Sequence, residues 1–404
     1  MSYNSRTAHR GARSSRGAAH FGGGRSQRSN RRGPKKDYIH PSKFVKAARP
    51  VTEEVYEATN RFEDFAMHPV LLENVLAKGF TAPSPIQDQT IPLGLSGKDV
   101  IGIANTGTGK TVAFAVPVLH RLFEDNQARA LIVAPTRELA QQIEDEFRAI
   151  GKRSGMYGAL LIGGSAMGPQ LRDLRANPRI VIGTPGRIKD HVERGTLTLS
   201  GFNMVVLDEV DRMLDMGFMP DVSFILGQLA RDRQSFFFSA TLDHKVRGLI
   251  GSFSNEPVTV SVKTGDTSDS VNQDIVCYES STDKIAQLHN ILIKQGIKAI
   301  VFDETQRAVE RLSRELQDRG FKADDIHGGK SQGQRQRALN RFKKNEITIL
   351  VATDVAARGI DVADITHVIN YSTPQSYEDY VHRIGRAGRA GRTGHALTFV
   401  TESY

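Results

Sequence analysis

Short apolar runs alternate with longer amphipathic stretches along most of the chain, and this alternation constrains the fold more than any other feature. The runs lie at residues 99–103, 130–134, 158–162, 180–182, 204–207, 235–238, 275–278, 299–302, 323–326, 347–351, 367–370 and 396–400. Strands that are buried on both faces have this character, and helix-length segments between them are typical of a parallel sheet covered by helices. The sequence therefore predicts an α/β fold built on parallel sheets.

The alternation lapses once, in the polar stretch VKTGDTSDSVNQ at residues 262–273. We therefore predict two α/β domains, at residues 51–262 and 273–404, joined by a short linker at residues 263–272. A chain of 404 residues is long enough for two such domains and a further segment.

The first 50 residues differ in composition from the rest of the chain. They carry nine Arg, four Lys and one acid, a net charge of +12, whereas the whole chain has +9 and residues 51–404 therefore have −3. Because the segment is also rich in Gly and Ser and poor in aliphatic residues, we predict a disordered basic tail at residues 1–50. Its arginines and Phe21 suit a non-specific tether for nucleic acid. A solubilising tail without a partner and a mitochondrial presequence are the alternatives.

The single cysteine, Cys277, excludes intramolecular disulfides and cysteine-based zinc sites, and it fits a reducing, cytoplasmic compartment. No apolar run approaches the roughly 20 residues that a membrane helix needs. The N-terminal residues also lack the continuous apolar core of a secretory signal. We therefore expect no membrane partner.

The stretch ANTGTGKT follows a predicted strand and precedes a predicted helix, which is the context that a phosphate-binding loop requires. Its glycines let backbone N–H groups point at phosphate, Lys110 would reach the β- and γ-phosphates, and Thr111 would reach Mg²⁺. The predicted ATP loop comprises Ala104, Asn105, Thr106, Gly107, Thr108, Gly109, Lys110 and Thr111. Ala104 departs from the usual glycine, and a glycine-rich turn formed by chance is the alternative.

Two acids, Asp208 and Glu209, stand directly after the apolar run at residues 204–207. We expect Asp208 to hold Mg²⁺, partly through water, and Glu209 to orient and polarise the attacking water. An acidic cap at the start of a helix is the alternative, and the phosphate loop upstream favours the catalytic interpretation.

Several motifs in a fixed order give the chain from about Phe62 onward a specific resemblance. The motifs are GFTAPSPIQ (79–87), PTRELA (135–140), GG (163–164), TPGR (184–187), SAT (239–241), IVFDET (300–305), VATDVAARGID (351–361) and HRIGRAGR (382–389). Together they resemble the DEAD-box RNA helicases, which are superfamily-two enzymes with two RecA-like domains. Val210 in the acidic box, Asn105 in the loop and Gly329 after His-Gly depart from that pattern.

The resemblance implies an RNA-dependent ATPase that uses ATP and Mg²⁺ to unwind short RNA duplexes or to remodel RNA–protein complexes. It places Gln87 on the adenine edge, Phe62 on the adenine ring, and Gly359 and Asp361 on the nucleotide. It assigns RNA-backbone contacts to Pro135, Thr136, Arg137, Gly163, Gly164, Thr184, Pro185, Gly186, Arg187, Gln332, Arg335 and Thr353. It assigns coupling between the ATP and RNA sites to Asp211, Ser239 and Thr241.

The arginines of HRIGRAGR have a physical reason to act on ATP from the second domain. Hydrolysis spreads negative charge over the γ-phosphate oxygens, and planar guanidinium groups stabilise that charge. We expect Arg386 and Arg389 to be arginine fingers and Arg383 to support them. A solvated basic patch is the alternative.

Two rival functions stay open from the sequence. One is a processive DNA translocase, against which Phe62, Gln87 and the RNA-like motifs argue. The other is an RNA chaperone with a vestigial ATP site, against which Lys110, Glu209 and Arg386 argue. We expect a monomer.

Overall fold

Two parallel β-sheets organise the chain, one in each half. The structure, a computed structural model, describes residues 39–48, 56–105, 107–262, 270–357, 360, 362, 364–388 and 392–401. We call residues 56–262 the first lobe and residues 270–401 the second lobe. All strand pairs within the two sheets are parallel, as the sequence predicts.

The first lobe has a seven-stranded sheet in the order β3-β4-β2-β5-β6-β1-β7. Its strands are β1 (Val100–Ala104), β2 (Ala130–Val133), β3 (Gly158–Leu161), β4 (Ile180–Gly183), β5 (Met204–Leu207), β6 (Gln234–Ser239) and β7 (Val258–Val262). Its helices are α1 (Pro69–Ala77), α2 (Pro85–Leu95), α3 (Lys110–Glu124), α4 (Arg137–Ile150), α5 (Met167–Arg175), α6 (Pro185–Glu193), α7 (Val210–Asp215), α8 (Met219–Gln228) and α9 (His244–Phe253), and a short 3₁₀ helix covers Phe62–Asp64.

The second lobe has a six-stranded sheet in the order β10-β11-β9-β12-β13-β8. Its strands are β8 (Val271–Tyr278), β9 (Ala299–Phe302), β10 (Ala323–Ile326), β11 (Ile349–Ala352), β12 (His367–Asn370) and β13 (Gly394–Thr401). Its helices are α10 (Ser281–Leu292), α11 (Gln306–Asp318), α12 (Gln332–Lys343), α13 (Asp354–Ala357) and α14 (Tyr377–Ile384).

Each sheet buries apolar side chains on both faces, which explains why its strands read as continuous apolar runs. In β2, for example, Ile132 packs in one core cluster and its neighbour Leu131 packs in another. In β9, Ile300 and Val301 divide in the same way between two clusters of the second lobe. The prediction of parallel sheets covered by helices on both faces is confirmed.

The predicted disordered tail at residues 1–50 requires a correction at residues 39–48. A 3₁₀ helix covers Pro41–Phe44, and the Phe44 side chain is fully buried in the core of the second lobe. Composition misses this because one aromatic ring is enough to dock a short segment if a partner surface fits it. Residues 1–38 lie outside the described residues.

Two further boundaries differ from the sequence expectations. Strand β8 begins at Val271, inside the predicted linker, and residues 263–269 lie outside the described part of the chain. Strand β7 was not among the predicted strands. Its sequence VTVSV alternates and is only partly buried at the edge of the first sheet, so it lacks a continuous apolar run.

Candidate nucleotide and RNA site

The strand order of the first sheet sorts the predicted motifs into two neighbouring groups. The motifs GG, TPGR and PTRELA follow β3, β4 and β2, which are adjacent strands, whereas the acidic box, SAT and the phosphate loop follow β5, β6 and β1. Because the strands are parallel, all six motifs leave the same edge of the sheet, where open α/β sheets bind ligands. The sheet therefore brings the predicted RNA and ATP groups side by side.

The phosphate loop has the backbone conformation that its glycines permit. Gly107 and Gly109 have φ angles of 82° and 89°, and Gly109 caps the N-terminus of α3. A Cβ on Gly109 would lie 2.4 Å from the amide nitrogen of Gln87, so glycine is needed there for space as well as for φ. The buried Lys110 donates from Nζ to the carbonyl of Ala104 at 3.1 Å.

Gln87 joins the GFTAPSPIQ motif to this loop. Its Nε2 donates to the carbonyl of Gly109 at 3.1 Å, and its Oε1 accepts from the backbone N–H of Ser84 at 2.9 Å. The Ser84 hydroxyl in turn donates to the carbonyl of Thr108 at 2.7 Å, and the Thr108 hydroxyl donates to the carbonyl of Asn105 at 2.9 Å. Sequence reasoning did not single out Ser84, although its place as the N-cap before Pro85 signals a structural role.

The acidic box lies deep in the first lobe. Burial raises the pKa of Asp208 to about 6, against the opposing charge of Lys110. Glu209 adopts a left-handed conformation with φ of 53°, which costs a non-glycine residue on the order of 1 kcal/mol. Its backbone N–H donates to the Asp208 carboxylate at 2.9 Å. Its own carboxylate lies 3.4 Å from Nε of Arg212 on α7, a contact that sequence reasoning missed.

The three predicted coupling residues are in contact. One carboxylate oxygen of Asp211 accepts from the backbone N–H groups of Ala240 and Thr241 at 2.9 and 3.0 Å, and from the Thr241 hydroxyl at 3.3 Å. The backbone N–H of Asp211 donates to the Ser239 hydroxyl at 3.4 Å. These hydrogen bonds connect the acidic box to the end of β6 and to the two residues that follow it.

Arg386 lies at a small cleft between the lobes, which Arg212 of the first lobe and His382, Arg383 and Arg386 of the second lobe help to line. Arg386 is almost fully buried and donates from Nη1 to the carbonyl of Ile360 at 2.9 Å. The Arg383 guanidinium makes contacts of 2.5 and 2.7 Å to the carboxylate of Asp354. Arg383 therefore holds α14 against α13, and both Arg383 and Arg386 line the cleft to which Arg212 of the first lobe contributes.

The predicted RNA-backbone residues cluster at the ends of β2, β3 and β4. Arg137 lies against the glycine pair, and a Cβ on Gly164, where φ is 73°, would come within 2.0 Å of Nη1 of Arg137. Thr136 and Thr184 are the N-caps of α4 and α6, and helix N-termini favour phosphate. Pro135 and Pro185 are buried beside them, Gly186 is exposed, and Arg187 donates to the carbonyl of Ser165 at 3.3 Å.

We call these predicted RNA-backbone residues at the ends of β2, β3 and β4 the RNA cluster. An ion pair beside them joins the two lobes. Nη2 of Arg335 on α12 lies 2.8 Å from Oε2 of Glu138 on α4, and both side chains are at most 7 % exposed. Burial raises the pKa of Glu138, and the charge of Arg335 opposes that shift. Gln332 lies one turn before Arg335 on α12, and Thr353 follows β11. Sequence reasoning listed Arg335 as an RNA contact and missed its partner Glu138.

Comparison with known proteins decides the family. The profile of the DEAD/DEAH box helicases matches residues 84–249, and that of the helicase conserved C-terminal domain matches residues 283–391. The DEAD-box ATP-dependent RNA helicase CshA of Bacillus subtilis is 44 % identical over 345 residues, covering 85 % of this chain and 70 % of that protein. The chain belongs to the DEAD-box RNA helicase family. The ATP-dependent RNA helicase CshA of Listeria monocytogenes is 44 % identical over 342 residues, which are 84 % of this chain and 66 % of that protein.

Solved structures of DEAD-box proteins resemble this helicase across both lobes. Dbp5 of Saccharomyces cerevisiae, bound to RNA and ADP BeF3, has a TM-score of 0.74 at 29 % identity and covers 85 % of this chain and 90 % of its own. Mss116p, bound to single-stranded RNA and AMP-PNP, has a TM-score of 0.77 at 31 % identity and covers 86 % of this chain and 76 % of its own. The RecA-like fold of both lobes is therefore confirmed.

Phe62, the predicted adenine-stacking residue, belongs to the core of the first lobe. Its side chain is fully buried in the first lobe against Phe65 and Phe80, with ring centroids 5.9 and 6.0 Å away. The assignment of Phe62 to the adenine ring therefore stays a prediction. The spacing from Gln87 predicts which residue matches the family's aromatic position, but it carries no information about the burial of the Phe62 ring.

Four predicted site residues lie outside the part of the helicase that the structure describes: Thr106, Gly359, Asp361 and Arg389. Their assignments stay predictions. Among the described residues, no helix has the length and apolar character that a membrane span needs. Likewise, no cluster of three or more His, Cys, Asp or Glu side chains in these ranges could hold a metal ion by itself.

Proposed function

We propose that this helicase is an RNA-dependent ATPase that unwinds short RNA duplexes or remodels RNA–protein complexes by ATP-driven closure of its lobes. One observation carries the proposal: Arg386 of the second lobe and Arg212 of the first lobe line the same cleft, and Arg212 lies 3.4 Å from Glu209. A site divided in this way is complete only when the lobes are together, so hydrolysis depends on closure.

The first lobe would bind the nucleotide. The phosphate loop and the N-terminus of α3 would hold the phosphates, Lys110 would leave the Ala104 carbonyl for a phosphate oxygen, and Gln87 would contact the adenine edge. Glu209 would accept a proton from the attacking water.

Asp208 and Thr111 fit a magnesium ion that arrives with ATP. Burial raises the pKa of the Asp208 carboxylate, and the nearby charge of Glu209 raises it further, so a cation beside Asp208 would favour its charged form. Magnesium is commonly held by one or two carboxylates together with substrate phosphates, which matches a single buried aspartate beside a phosphate loop. When bound, the ion would neutralise charge on the phosphate oxygens.

The second lobe would complete the reaction and help to hold RNA. Arg386 would stabilise the charge that develops on the γ-phosphate, and Arg389 would join it. The RNA cluster presents hydroxyls, guanidinium groups and helix N-termini, which recognise phosphates and sugars without reading bases. We therefore expect sequence-independent binding of one strand, whose partner is released when the bound strand is bent.

Several finer assignments complete the proposal. The basic residues 1–38 would add a salt-sensitive tether for RNA, which truncation at residue 38 tests by RNA titration at two salt concentrations.

The single cysteine supports a cytoplasmic compartment, which cell fractionation tests. We also propose a monomer, checked by light scattering, and RNA–protein complexes as substrates, checked by displacement of a bound protein.

Steady-state ATP turnover tests the proposed function. Single-stranded RNA should raise turnover of the full chain on the order of tenfold or more, because it favours the closed state. Single-stranded DNA of equal length is the comparison. Glu209→Gln should bind ATP but lose about 10²- to 10⁴-fold in turnover, since it removes the general base. An equal rate with and without RNA would refute coupling between the two sites.

A further inference from the structure

Residues 39–48, which we call the N-terminal segment, dock on the second lobe at the edge of its sheet. Lys46 pairs with Gln273 of β8 through two backbone hydrogen bonds of 3.0 and 2.8 Å, in antiparallel orientation. The backbone N–H of Ala48 donates to the side chain of Asn272 at 2.8 Å. Since β8 is an edge strand of the second sheet, the segment covers part of an edge that would otherwise expose unpaired backbone groups.

The Phe44 side chain also anchors the N-terminal segment in the core of the second lobe. Its ring is fully buried, and its centroid lies 4.7 Å from that of Tyr380 at an interplanar angle of 58°. The buried Tyr380 hydroxyl donates to Oε1 of Gln273 at 3.0 Å, so Gln273 contacts the segment through its backbone and Tyr380 through its side chain. Phe44 and Gln273 therefore both contact the same residue of α14, Tyr380.

The helix that these contacts reach lies directly before Arg386, the arginine that we propose acts on ATP. Tyr380 lies one turn before Arg383 on α14, and Arg386 follows in the turn directly after the helix, where its N–H donates to the Arg383 carbonyl at 3.1 Å. Arg383 holds the helix from within the second lobe, through Asp354 and through the Ser372 carbonyl at 2.8 Å. The N-terminal segment contacts the helix at Tyr380, through Phe44.

We propose that Phe44 and Tyr380 are positioning residues for the arginine-finger helix, so that the N-terminal segment sets the ATP turnover of the closed enzyme. The proposal rests on the proposed function, because it assumes that Arg386 acts on ATP. An error of about 1 Å in the place of a catalytic group can cost 10²-fold in rate. ATP itself is held by the first lobe, so loss of the segment's packing changes turnover and leaves nucleotide binding intact.

Phe44→Ala in the full chain tests this assignment by steady-state kinetics at saturating RNA. We expect kcat to fall between about ten- and one-hundredfold while KM for ATP stays within about twofold. Phe44→Leu, which refills most of the space, should recover most of the rate. Tyr380→Phe, which removes only the hydroxyl that contacts Gln273, should reduce kcat by a smaller factor.

Leu316→Ala is the matched control, measured with thermal unfolding of every variant. Leu316 is fully buried on α11, in the other core cluster of the second lobe, so its loss destabilises the same lobe without contacting α14. At temperatures well below unfolding, Leu316→Ala should keep the wild-type kcat even where its melting temperature is as low as that of Phe44→Ala. If both variants lose kcat in proportion to stability, or if Phe44→Ala keeps the wild-type kcat, the positioning role is overturned. If Arg386→Ala also keeps the wild-type rate, the proposed function has failed instead.

Discussion

At the scale of single residues, the chemistry of a side chain is readable from its sequence context, whereas its surroundings are not. Lys110 and Glu209 stand at positions where strand and loop patterns alone predict an ATP site. Phe62 and Phe44 show the opposite case. Both are fully buried, although composition assigned Phe44 to a disordered tail and no pattern around Phe62 indicated that its ring lies in the core. Burial depends on residues far away along the chain, which no local pattern contains.

His367 supplies a prediction at this scale for the dependence of stability on pH. Burial lowers its pKa to about 4, with smaller contributions from the charges of His395, whose ring stacks on it at 4.9 Å, and Lys294. In the unfolded chain its pKa should be about 6.5, so between these values the unfolded state binds the proton and the folded state does not. The stability of the second lobe is therefore full above pH 6.5 and falls as the pH decreases toward 4.

Urea unfolding at pH 7 and pH 5 checks this expectation. Because His367 is partly exposed, we expect the group to account for on the order of 1 kcal/mol of the loss, less than the full shift would imply. His367→Gln should lose less stability between the two pH values than the wild type does. The exposed His244→Gln is the control and should behave like the wild type. An unchanged pH response of His367→Gln would contradict the assignment.

At the scale of elements, the sequence predicts strands well because parallel strands buried on both faces are continuous apolar runs. Twelve of the described strands coincide with predicted runs, although β8 and β10 include polar residues, whereas β7 alternates at a sheet edge and was missed. Register and the pairing of α4 with α12 could not be predicted, because Glu138 and Arg335 are almost 200 residues apart. A motif shows that such residues have a role, and only the fold shows that they contact each other.

The pair between Glu138 and Arg335 yields a prediction for lobe closure. Breaking a buried ion pair commonly costs about 3–5 kcal/mol because the remaining charge stays buried. In this pair the partners come from different lobes, so the cost should fall on the closed state alone. We therefore expect Glu138→Gln to raise the RNA concentration for half-maximal ATPase by at least about tenfold.

Glu144→Gln is the matched control on the same helix. Glu144 is also buried, but its partner is Arg148 on α4 itself, at 2.6 Å, so this pair does not cross between the lobes. Glu144→Gln should leave the RNA dependence of turnover near that of the wild type. Equal effects of the two substitutions would show that the Glu138 contact stabilises α4 and has no special part in closure.

At the scale of the whole molecule, function follows from the order of the strands. The RNA cluster and the ATP loop occupy neighbouring halves of one sheet edge. Arg335 of the second lobe contacts Glu138 in the RNA cluster, and Arg386 lines a cleft with Arg212, which contacts Glu209 of the acidic box. A change at either ligand therefore acts on the same closing motion of two packed bodies. The N-terminal segment adds a further contact, because its Phe44 packs against Tyr380 on the helix directly before Arg386.

The most direct test of this account is ATP turnover and ATP binding by Arg386→Ala in the full chain at saturating RNA. If the second lobe completes the site, kcat should fall about a thousandfold while ATP affinity changes little. Arg314→Ala, whose side chain is 76 % exposed on α11, is the control and should match the wild type. Wild-type turnover by Arg386→Ala, or loss of ATP binding in place of turnover, would contradict the account.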